Sequence, residues 1–310
     1  MDTETFMPKT LQQAITYYSD ERACLDILVA KRWPNGVVTC PYCEGESCTF
    51  MPSAFRWQCK GCRKQFSIKV GTFMEDSPIK LSKWFLAMWM VANCKNGVSS
   101  YEIHRAIGIT QKSAWFMLHR IRLAFGEQPT ELSGTVEADE TYIGGLEKNK
   151  HKSKKLNQGR GSVGKVAVMG LLEDGGKART KKITAASKKV LHGEIFENVQ
   201  GGSTIHTDSW KAYQGIDDAY IHEFVDHAVE YVRDGVHTNG LENFFSLLKR
   251  MIRGTYVSVD PAHLKSYLDE QTFRFNERKD NDSGRFQKVL GEINGKRLTY
   301  QQLVNSSVVF

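Results

Sequence analysis

The chain has 310 residues and a mass of 35.2 kDa, enough for one large domain or for two to three smaller ones. Its composition, with 41% hydrophobic and 25% charged residues, excludes disordered, collagen-like and coiled-coil proteins. The formal net charge of +7 favours an anionic partner.

The first residues lack the basic and apolar segments of a secretory signal, and the longest apolar run, residues 84–92, is too short for a membrane span. The seven cysteines are an odd number for a disulfide framework and favour a reducing compartment with a metal site. We therefore expect a cytoplasmic protein without a membrane partner.

Basic residues are concentrated in two parts of the chain. Residues 31–130 contain 14 Lys or Arg against 6 Asp or Glu, and residues 143–189 contain 13 against 3. Charge blocks of this kind are typical of proteins that neutralise nucleic-acid phosphates. A nucleic acid is therefore the expected partner.

Changes of pattern divide the chain into five expected segments. Apolar residues near helical spacing predict one helix over residues 8–32, and the Pro129–Gly134 stretch is the best domain boundary. The segments are an N-terminal helical segment (1–32), a zinc ribbon (33–75), a helix-turn-helix region (76–130), an α/β domain (131–290) and a C-terminal tail (291–310).

The zinc ribbon is predicted from two CxxC pairs with fifteen residues between them: Cys40, Cys43, Cys59 and Cys62. This spacing is typical of a four-thiolate structural zinc site, in which no coordination position remains for water. Two unrelated CxxC pairs, or a redox motif, are the alternatives. Cys48 lies between the pairs and is expected to be a spare thiol.

Residues 97–125 predict a helix-turn-helix. Ser99 or Ser100 caps a short helix, Gly108 supplies the turn and Thr110 caps the second helix. Such a pair is typical of DNA-reading proteins, although a plain helical hairpin has the same pattern. The expected DNA contacts on the outward face of the second helix are Gln111, Lys112, Ser113 and Arg120.

From Gly134 onward strands and helices alternate, which predicts an α/β fold. The predicted strands read TVEADETYIGG, KVAVMGLLED, ARTKKITAAS and STIHTD, with a helix SKKVLHGEIFENV before the last of them. Residues 239–252 and 261–278 are predicted to be amphipathic helices.

Three carboxylates fall where a metal-binding set could form. Asp139 lies near the end of one predicted strand, Asp208 ends another, and Glu242 lies in the predicted helix 239–252. Two strand-end aspartates and a helical glutamate can converge on a pair of divalent cations, an arrangement suited to in-line attack on phosphorus.

Each of these three positions has a competing carboxylate nearby. Glu137 or Glu140 could replace Asp139, although strand alternation is expected to put both on the opposite face of the strand. Asp217 and Asp218 could take the second position, but they lie in a predicted turn. Glu270 could take the helical position, although it lacks the Asn-x-x-Glu context with a lysine seven residues later.

An ordered set of motifs covers nearly the whole chain: CPYC…CKGC, GTFMEDSPIKLSKWFLAMWMVANCKNGVSSYEI, VEADETYIGG, IHTDSWKAY and HTNGLENFFSLLKR. In this set the chain resembles bacterial insertion-sequence transposases of the DDE class, in the ISXO-like group with an N-terminal zinc ribbon. The ordered set is far more specific than any one of its motifs.

The resemblance implies a ribonuclease-H-like core, a mixed sheet flanked by helices, that cleaves DNA and transfers strands. It implies two catalytic Mg²⁺ or Mn²⁺ ions with Asp139, Asp208 and Glu242 as ligands, besides the structural Zn²⁺. Asn239, in the His-Thr-Asn element, is a supporting catalytic candidate. The implied partner is double-stranded DNA, as the terminal inverted repeats and a target, and pairing two ends implies at least a dimer.

Basic side chains near the catalytic set are predicted to hold DNA. Lys249 follows Glu242 by seven residues, close to two helical turns, and is expected to position a phosphate beside the metals. A basic loop after the first catalytic strand is expected to grip phosphates through Lys148, Lys150, Lys152, Lys154, Lys155 and Arg160.

Two other functions compete with a transposase at this point. One is a non-catalytic DNA-binding protein that uses its zinc ribbon and helix-turn-helix on an inert core. The other is a ribonuclease-H-like nuclease that cuts without joining, because hydrolysis and strand transfer use the same site and differ only in the nucleophile.

Overall fold

The computed structural model describes residues 7–126, 131–145, 149–156, 163–225 and 236–305. The chain divides into two compact units. The first contains the residues up to Phe125 together with those from Arg278 onward, and the second is Gly126–Glu277. Within the described ranges, no helix has the length and apolar character needed to cross a membrane.

The described ranges contain ten α-helices and eight strands. The helices are α1 Leu11–Tyr18, α2 Glu21–Arg32, α3 Leu81–Asn93, α4 Ser100–Ile107, α5 Gln111–Arg122, α6 Lys188–Asn198, α7 Asn239–Met251, α8 Leu264–Asn276, α9 Asp282–Gly291 and α10 Tyr300–Asn305. The strands are β1 Cys48–Met51, β2 Arg56–Cys59, β3 Gln65–Phe66, β4 Thr135–Ile143, β5 Val166–Glu173, β6 Ala178–Ile183, β7 Thr204–Asp208 and β8 Ile221–Val225.

The N-terminal helical segment differs from the single helix predicted over residues 8–32. The structure has two helices, α1 and α2, separated at Ser19 and Asp20. The Asp20 carboxylate accepts a hydrogen bond from the backbone N–H of Arg22 and so caps α2. The apolar spacing continues across both helices, but the Asp20 cap starts a new helix two residues after α1 ends at Tyr18.

The first unit has an aromatic core around α3. Trp84, Phe85 and Trp89 of this helix are almost completely buried. Phe286 of α9 packs against them, with its ring centroid 5.4 Å from that of Trp89 and 5.0 Å from that of Tyr18. The α/β domain was expected to extend to residue 290, but α9 belongs instead to the first unit.

The second unit is built on a mixed five-stranded sheet in the order β6-β5-β4-β7-β8. Strand β4 pairs antiparallel with β5 and parallel with β7, and β7 pairs parallel with β8. Strand β8 was not predicted from the sequence. Helices cover both faces of this sheet, which is the mixed α/β architecture expected of a ribonuclease-H-like core.

Each face of the sheet buries its own apolar cluster. On one face Leu191 and Ile195 of α6 are fully buried. On the other face α7 packs closely on the sheet at Gly170 of β5, where an added Cβ would lie 2.7 Å from Cζ of Phe245. This close contact brings α7 and its polar side chains directly beside β4 and β5.

Candidate zinc centre and active site

The four predicted zinc ligands come together in the first unit. A hairpin of β1 and β2, with Cys48 opposite Cys59, returns the second CxxC pair to the first. The four Sγ atoms all lie within 4.8 Å of one another, with 3.7 Å between Cys40 and Cys62 and 3.6 Å between Cys43 and Cys59. A tetrahedron with Zn–S bonds of about 2.3 Å has edges of about 3.8 Å.

Hydrogen bonding shifts the pKa of two of the four thiols in opposite directions. Hydrogen bonding from the backbone of Cys62 lowers the pKa of Cys59 to about 6, which favours the thiolate form that binds metal. The Gly45 backbone lowers the pKa of Cys43, but hydrogen bonds with the thiols of Cys62 and Cys59 outweigh this effect and raise the pKa to about 11. Cys48 is not a member of the set, and its Sγ lies 3.5 Å from the carbonyl oxygen of Gly45. The arrangement of these four cysteines therefore supports the structural zinc site that the spacing predicts.

The predicted helix-turn-helix is present as α4 and α5. The Ser99 hydroxyl and the Glu102 carboxylate form a reciprocal capping box at the start of α4. Gly108 has φ +60° in the turn, and the Thr110 hydroxyl accepts from the N–H of Ser113 to cap α5. The two caps and the glycine turn are those expected from the sequence.

The first turn of α5 carries the exposed part of the predicted DNA surface. Lys112 is exposed, and its Nζ lies 4.6 Å from the ring centroid of Tyr300. Gln111 and Ser113 are half-buried, and Nε2 of Gln111 donates to Oγ of Ser100 at 2.8 Å. These three residues remain candidates for DNA contact.

Arg120 is a correction to the expected DNA contacts. Its side chain is 5% exposed and donates to the backbone carbonyls of Glu75 and Leu298. Its guanidinium also lies 4.6 Å from the ring centroid of Phe116. The prediction that Arg120 faces outward was wrong, because the C-terminal half of α5 is buried on all sides.

Two of the three predicted catalytic carboxylates, Asp139 and Glu242, line one cleft of the second unit, and Asp208 is not among the residues that line it. Asp139 is on β4, opposite Gly170 of β5, and Asp208 is the last residue of the neighbouring strand β7. Glu242 is in the first turn of α7. The cleft has a volume of about 510 Å³ and is lined by Asp139, Glu140, Thr141, Glu242, Phe245, Ser246, Lys249, Arg250 and Arg253.

Neighbouring carboxylates act on Asp139. Burial and then the charges of Glu140, Asp208 and Glu242 raise the pKa of this carboxyl to about 7. Its Oδ1 accepts a hydrogen bond from the N–H of Glu140, which acts in the opposite direction. In the part of the chain that the structure describes, the cysteines alone form a set of three or more ligands within 4.8 Å, so the carboxylates are more widely spaced.

The flanking glutamates of β4 do not share one face. Glu140 points to the α6 side, where it accepts from the Tyr213 hydroxyl at 2.8 Å. The expectation that Glu137 lies opposite Asp139 was wrong, because residues two apart on a strand share a face. Glu137 accepts from the backbone N–H of Leu241 at 2.7 Å and is therefore engaged with α7.

The other competing carboxylates do not line the cleft; they are Glu270, Asp217 and Asp218. Glu270 is completely buried and accepts from Arg274 and from the Tyr256 hydroxyl. Asp217 and Asp218 are exposed and lie beyond the end of β7. Like Asp208 they are outside the residues that line the cleft, but the charge of Asp208 raises the pKa of Asp139.

Helix α7 directs one stripe of side chains into the cleft. Lys249 is half-buried there, and its pKa is lowered by burial and by Arg253, while Asp139 acts in the opposite direction. Arg250 of α7 and Arg253, just past the end of α7, line the same cleft and were not predicted. The i, i+4, i+7, i+11 stripe that begins at Glu242 contains Arg253 and could have identified it. Asn239 is exposed at the first position of α7.

The predicted basic loop lies between β4 and β5 and is described in part. Lys152 is exposed and Lys150 and Lys155 are half-buried, around a short 3-10 turn over Lys152–Lys154. Lys148, Arg160 and the side chain of Lys154 lie outside the described residues.

Comparisons with known proteins agree with this architecture. Residues 131–276 match the ISXO2-like transposase domain, and residues 19–65 match the transposase zinc-ribbon domain. An uncharacterised protein in transposable element ISH50 of Halobacterium salinarum (strain ATCC 700922 / JCM 11081 / NRC-1) is 31% identical over 268 residues, which is 82% of this chain and 90% of that protein.

Among solved structures, the chain is similar to the cryo-EM structure of the simian T-cell lymphotropic virus intasome in complex with PP2A regulatory subunit B56 gamma. The match has a TM-score of 0.30 and 12% identity, and it covers 62% of this chain and 65% of that chain. The two domain matches and the ISH50 relative show that the chain belongs to the family of insertion-sequence transposases with a zinc ribbon and an ISXO2-like transposase domain.

Proposed function

We propose that this protein binds the terminal inverted repeats of its own insertion sequence and catalyses divalent-metal-dependent DNA cleavage and strand transfer. The observation that carries the proposal is the cleft of an ISXO2-like transposase domain that Asp139 and Glu242 line, with Asp208 near enough for its charge to raise the pKa of Asp139. Lys249, Arg250 and Arg253 stand beside these carboxylates with the charge that a DNA backbone requires.

The carboxylates fit a magnesium or manganese site by their chemistry. Carboxylate oxygens are the hard ligands that these cations prefer. The pKa of Asp139 is raised to about 7 by burial and by neighbouring acids, so the cleft holds negative charge that a divalent cation would neutralise. Asp139, Asp208 and Glu242 would hold the ions. When bound, such ions activate water or a 3′-hydroxyl for in-line attack on phosphorus and stabilise the leaving oxygen.

The remaining roles follow from charge and position. Lys249, Arg250 and Arg253 would bind phosphates next to the scissile one, with Asn239 as a supporting residue at the start of α7. The first turn of α5 would contact base edges, and the basic loop after β4 would add contacts to phosphates that do not depend on sequence. The pairing of two element ends would require at least two copies of the chain.

The test is incubation of the protein with a labelled terminal repeat, a target plasmid and Mg²⁺. We expect Asp139→Asn, Asp208→Asn and Glu242→Gln each to reduce cleavage to background while end binding stays within a few-fold. Asp218→Asn is the matched control, because it removes an exposed carboxylate of the same unit, and it should cleave normally.

The products separate the competing functions. Joined repeat and target support a transposase. Nicks without joined product would show a nuclease, and retention of DNA without nicks would show a binding protein. Strong residual joining by Asp208→Asn would mean that a different carboxylate occupies this position.

A further inference from the structure

The start of α7 is fastened to β4 by one buried carboxylate. Glu137 is 4% exposed, and its two oxygens accept hydrogen bonds from the backbone N–H groups of Leu241 at 2.7 Å and of Gly240 at 3.3 Å. These N–H groups belong to the first turn of α7, whose donors have no partner within the helix. A carboxylate is also the group that the positive end of a helix favours.

The two ends of this contact lie next to the candidate catalytic residues. Glu137 stands two residues before Asp139 on the same face of β4, and Leu241 immediately precedes Glu242. One hydrogen-bonded side chain therefore links the strand that carries Asp139 to the helix that carries Glu242.

The surroundings of Glu137 leave little freedom for this contact. A Cβ added at Gly240 would lie 2.6 Å from Cδ2 of Leu172 and 2.8 Å from Oε1 of Glu137, so only glycine permits so close an approach. On the other side, Nδ1 of His237 lies 3.2 Å from the same oxygen. These contacts account for the glycine and the histidine of the HTNGLEN motif without assigning either to the chemistry.

We propose that Glu137 is a positioning residue that sets the separation of Asp139 and Glu242 for a shared divalent cation. The proposal rests on the proposed function, because it concerns the same metal site. Preorganised ligands bind a metal more tightly than ligands that must first be ordered, so loss of the contact should weaken metal binding.

The first experiment measures the contact itself, by amide hydrogen exchange without metal or DNA. We expect Glu137→Ala to speed the exchange of the Gly240–Glu242 amides at least ten-fold, and Glu137→Gln, which keeps one acceptor, to have a smaller effect. Ile195→Val is the control, because it removes a buried methyl group on the other face of the sheet and should leave these amides unchanged.

The second experiment measures Mn²⁺ binding by calorimetry and the Mn²⁺ concentration that gives half-maximal cleavage. For Glu137→Ala we expect the dissociation constant of Mn²⁺ and the Mn²⁺ concentration for half-maximal cleavage each to rise about ten-fold or more. Both values for Glu137→Gln should lie between those of Glu137→Ala and wild type. The affinity of both Glu137 variants for the terminal repeat should stay near that of wild type. The control Ile195→Val should match wild type in both Mn²⁺ measurements.

Two results would overturn the proposal. Glu137→Gln could abolish cleavage while exchange at the start of α7 stays normal, which would make Glu137 a ligand rather than a positioning residue. Either variant could instead bind Mn²⁺ as tightly as wild type despite faster exchange. If wild type binds Mn²⁺ but cleaves nothing, the proposed function fails, while the exchange and calorimetry still decide the role of Glu137.

Discussion

Ionisation of Asp139 in the cleft lowers the stability of the metal-free protein. Its pKa is raised to about 7 by burial and then by the acids around it, above the value of an unfolded aspartate. A raised carboxyl pKa means that the folded state binds the proton more tightly. The stability associated with that proton is therefore present below about pH 4 and lost as the pH rises through about 7.

We expect Asp139→Asn to be more stable than wild type in chelator at pH 8, by up to about 4 kcal/mol, because the neutral amide removes the buried charge. The difference in free energy of unfolding between Asp139→Asn and wild type should shrink towards pH 4, and Mg²⁺ should reduce this difference at pH 8. Urea denaturation of both proteins at several pH values measures the difference. A less stable Asp139→Asn at pH 8 in chelator would show that the carboxylate is already compensated.

Lys249 provides a test of the basic side of the cleft. Its ammonium is half-buried near Asp139 and Arg253, a position from which it can meet a phosphate. We expect Lys249→Ala to slow strand transfer about ten-fold, or 1.4 kcal/mol, in single-turnover assays, and Lys249→Arg to recover part of the rate. Lys189→Ala, an exposed lysine of α6, is the control. An unchanged rate at sub-saturating DNA would assign Lys249 to the solvated surface.

Arg120 and Lys112 lie two turns apart on α5 but should respond differently. Arg120→Ala leaves two backbone carbonyls without their donor and should lower the free energy of unfolding by about 3 kcal/mol. Lys112→Ala should change stability by less than about 0.5 kcal/mol and weaken binding to the terminal repeat. Urea denaturation and filter binding measure the two effects. Normal stability of Arg120→Ala would contradict its buried role.

The sequence identified residues by type and spacing better than by direction. Asp139, Asp208 and Glu242 were named from their places in an ordered set of motifs, although Asp139 is the central residue of β4 and not near its end as predicted. Arg120 was misplaced because helical periodicity does not reveal that a second surface, here the Leu298 backbone, covers the helix. Glu137 was expected on the wrong face of its strand, because residues 137 and 139 are two apart and therefore share a face. Its hydrogen-bond partner, the backbone N–H of Leu241, lies 104 residues away in the chain.

At the scale of elements, the zinc ribbon should depend entirely on its metal. Four thiolates brought within 4.8 Å repel one another without a cation, so metal binding contributes to the folding free energy of the ribbon. We expect Cys40→Ser or a zinc chelator to unfold the ribbon, to change the fluorescence of Trp57, which is buried there, and to weaken DNA binding. Cys48→Ser is the control and should keep its zinc. Metal analysis that finds no zinc in wild type would contradict the prediction.

Regular elements were predictable where a hydrophobic period was long and uninterrupted. Strands β4 to β7 and helices α6 to α8 lie where alternation or helical spacing placed them. Strand β8 was missed because it is short and lies at the edge of the sheet, with Ile221 and Phe224 exposed, so its alternation is weak. Helix α10 was missed because its periodic segment is only 6 residues long. Helix α9 was missed although its 10 residues, capped by Asn281, exceed the 8 of the predicted helix α4.

At the scale of the whole molecule, the chain leaves the first unit at Phe125 and re-enters it at Arg278. The segment from Arg278 onward is held in the first unit by contacts between residues distant in the chain. One is the hydrogen bond from Nε of Arg285 to Oδ1 of Asn93, 192 residues apart. Local patterns contain no information about such pairs. The expected boundary near residue 290 therefore placed α9 in the wrong unit.

Phe286 is the residue through which this arrangement can be tested. It is completely buried, and its ring packs against those of Tyr18, Phe85 and Trp89. We expect Phe286→Ala to destabilise the first unit by about 3–5 kcal/mol through loss of apolar contact and the cavity that remains. Amide hydrogen exchange should then lose protection in α1 and α3 while β4 and α7 keep theirs, because those elements belong to the second unit.

The control for this prediction is Phe196→Ala, which truncates a phenylalanine of the second unit that is 53% exposed and should change stability little. Binding of the terminal repeat should weaken in Phe286→Ala, since the zinc ribbon and α5 both belong to the first unit. Mn²⁺ binding, which depends on carboxylates of the second unit, should stay near wild type. Equal loss of protection in α3 and α7 would show that the two units unfold as one, and that residues 278–305 stabilise the second unit as much as the first.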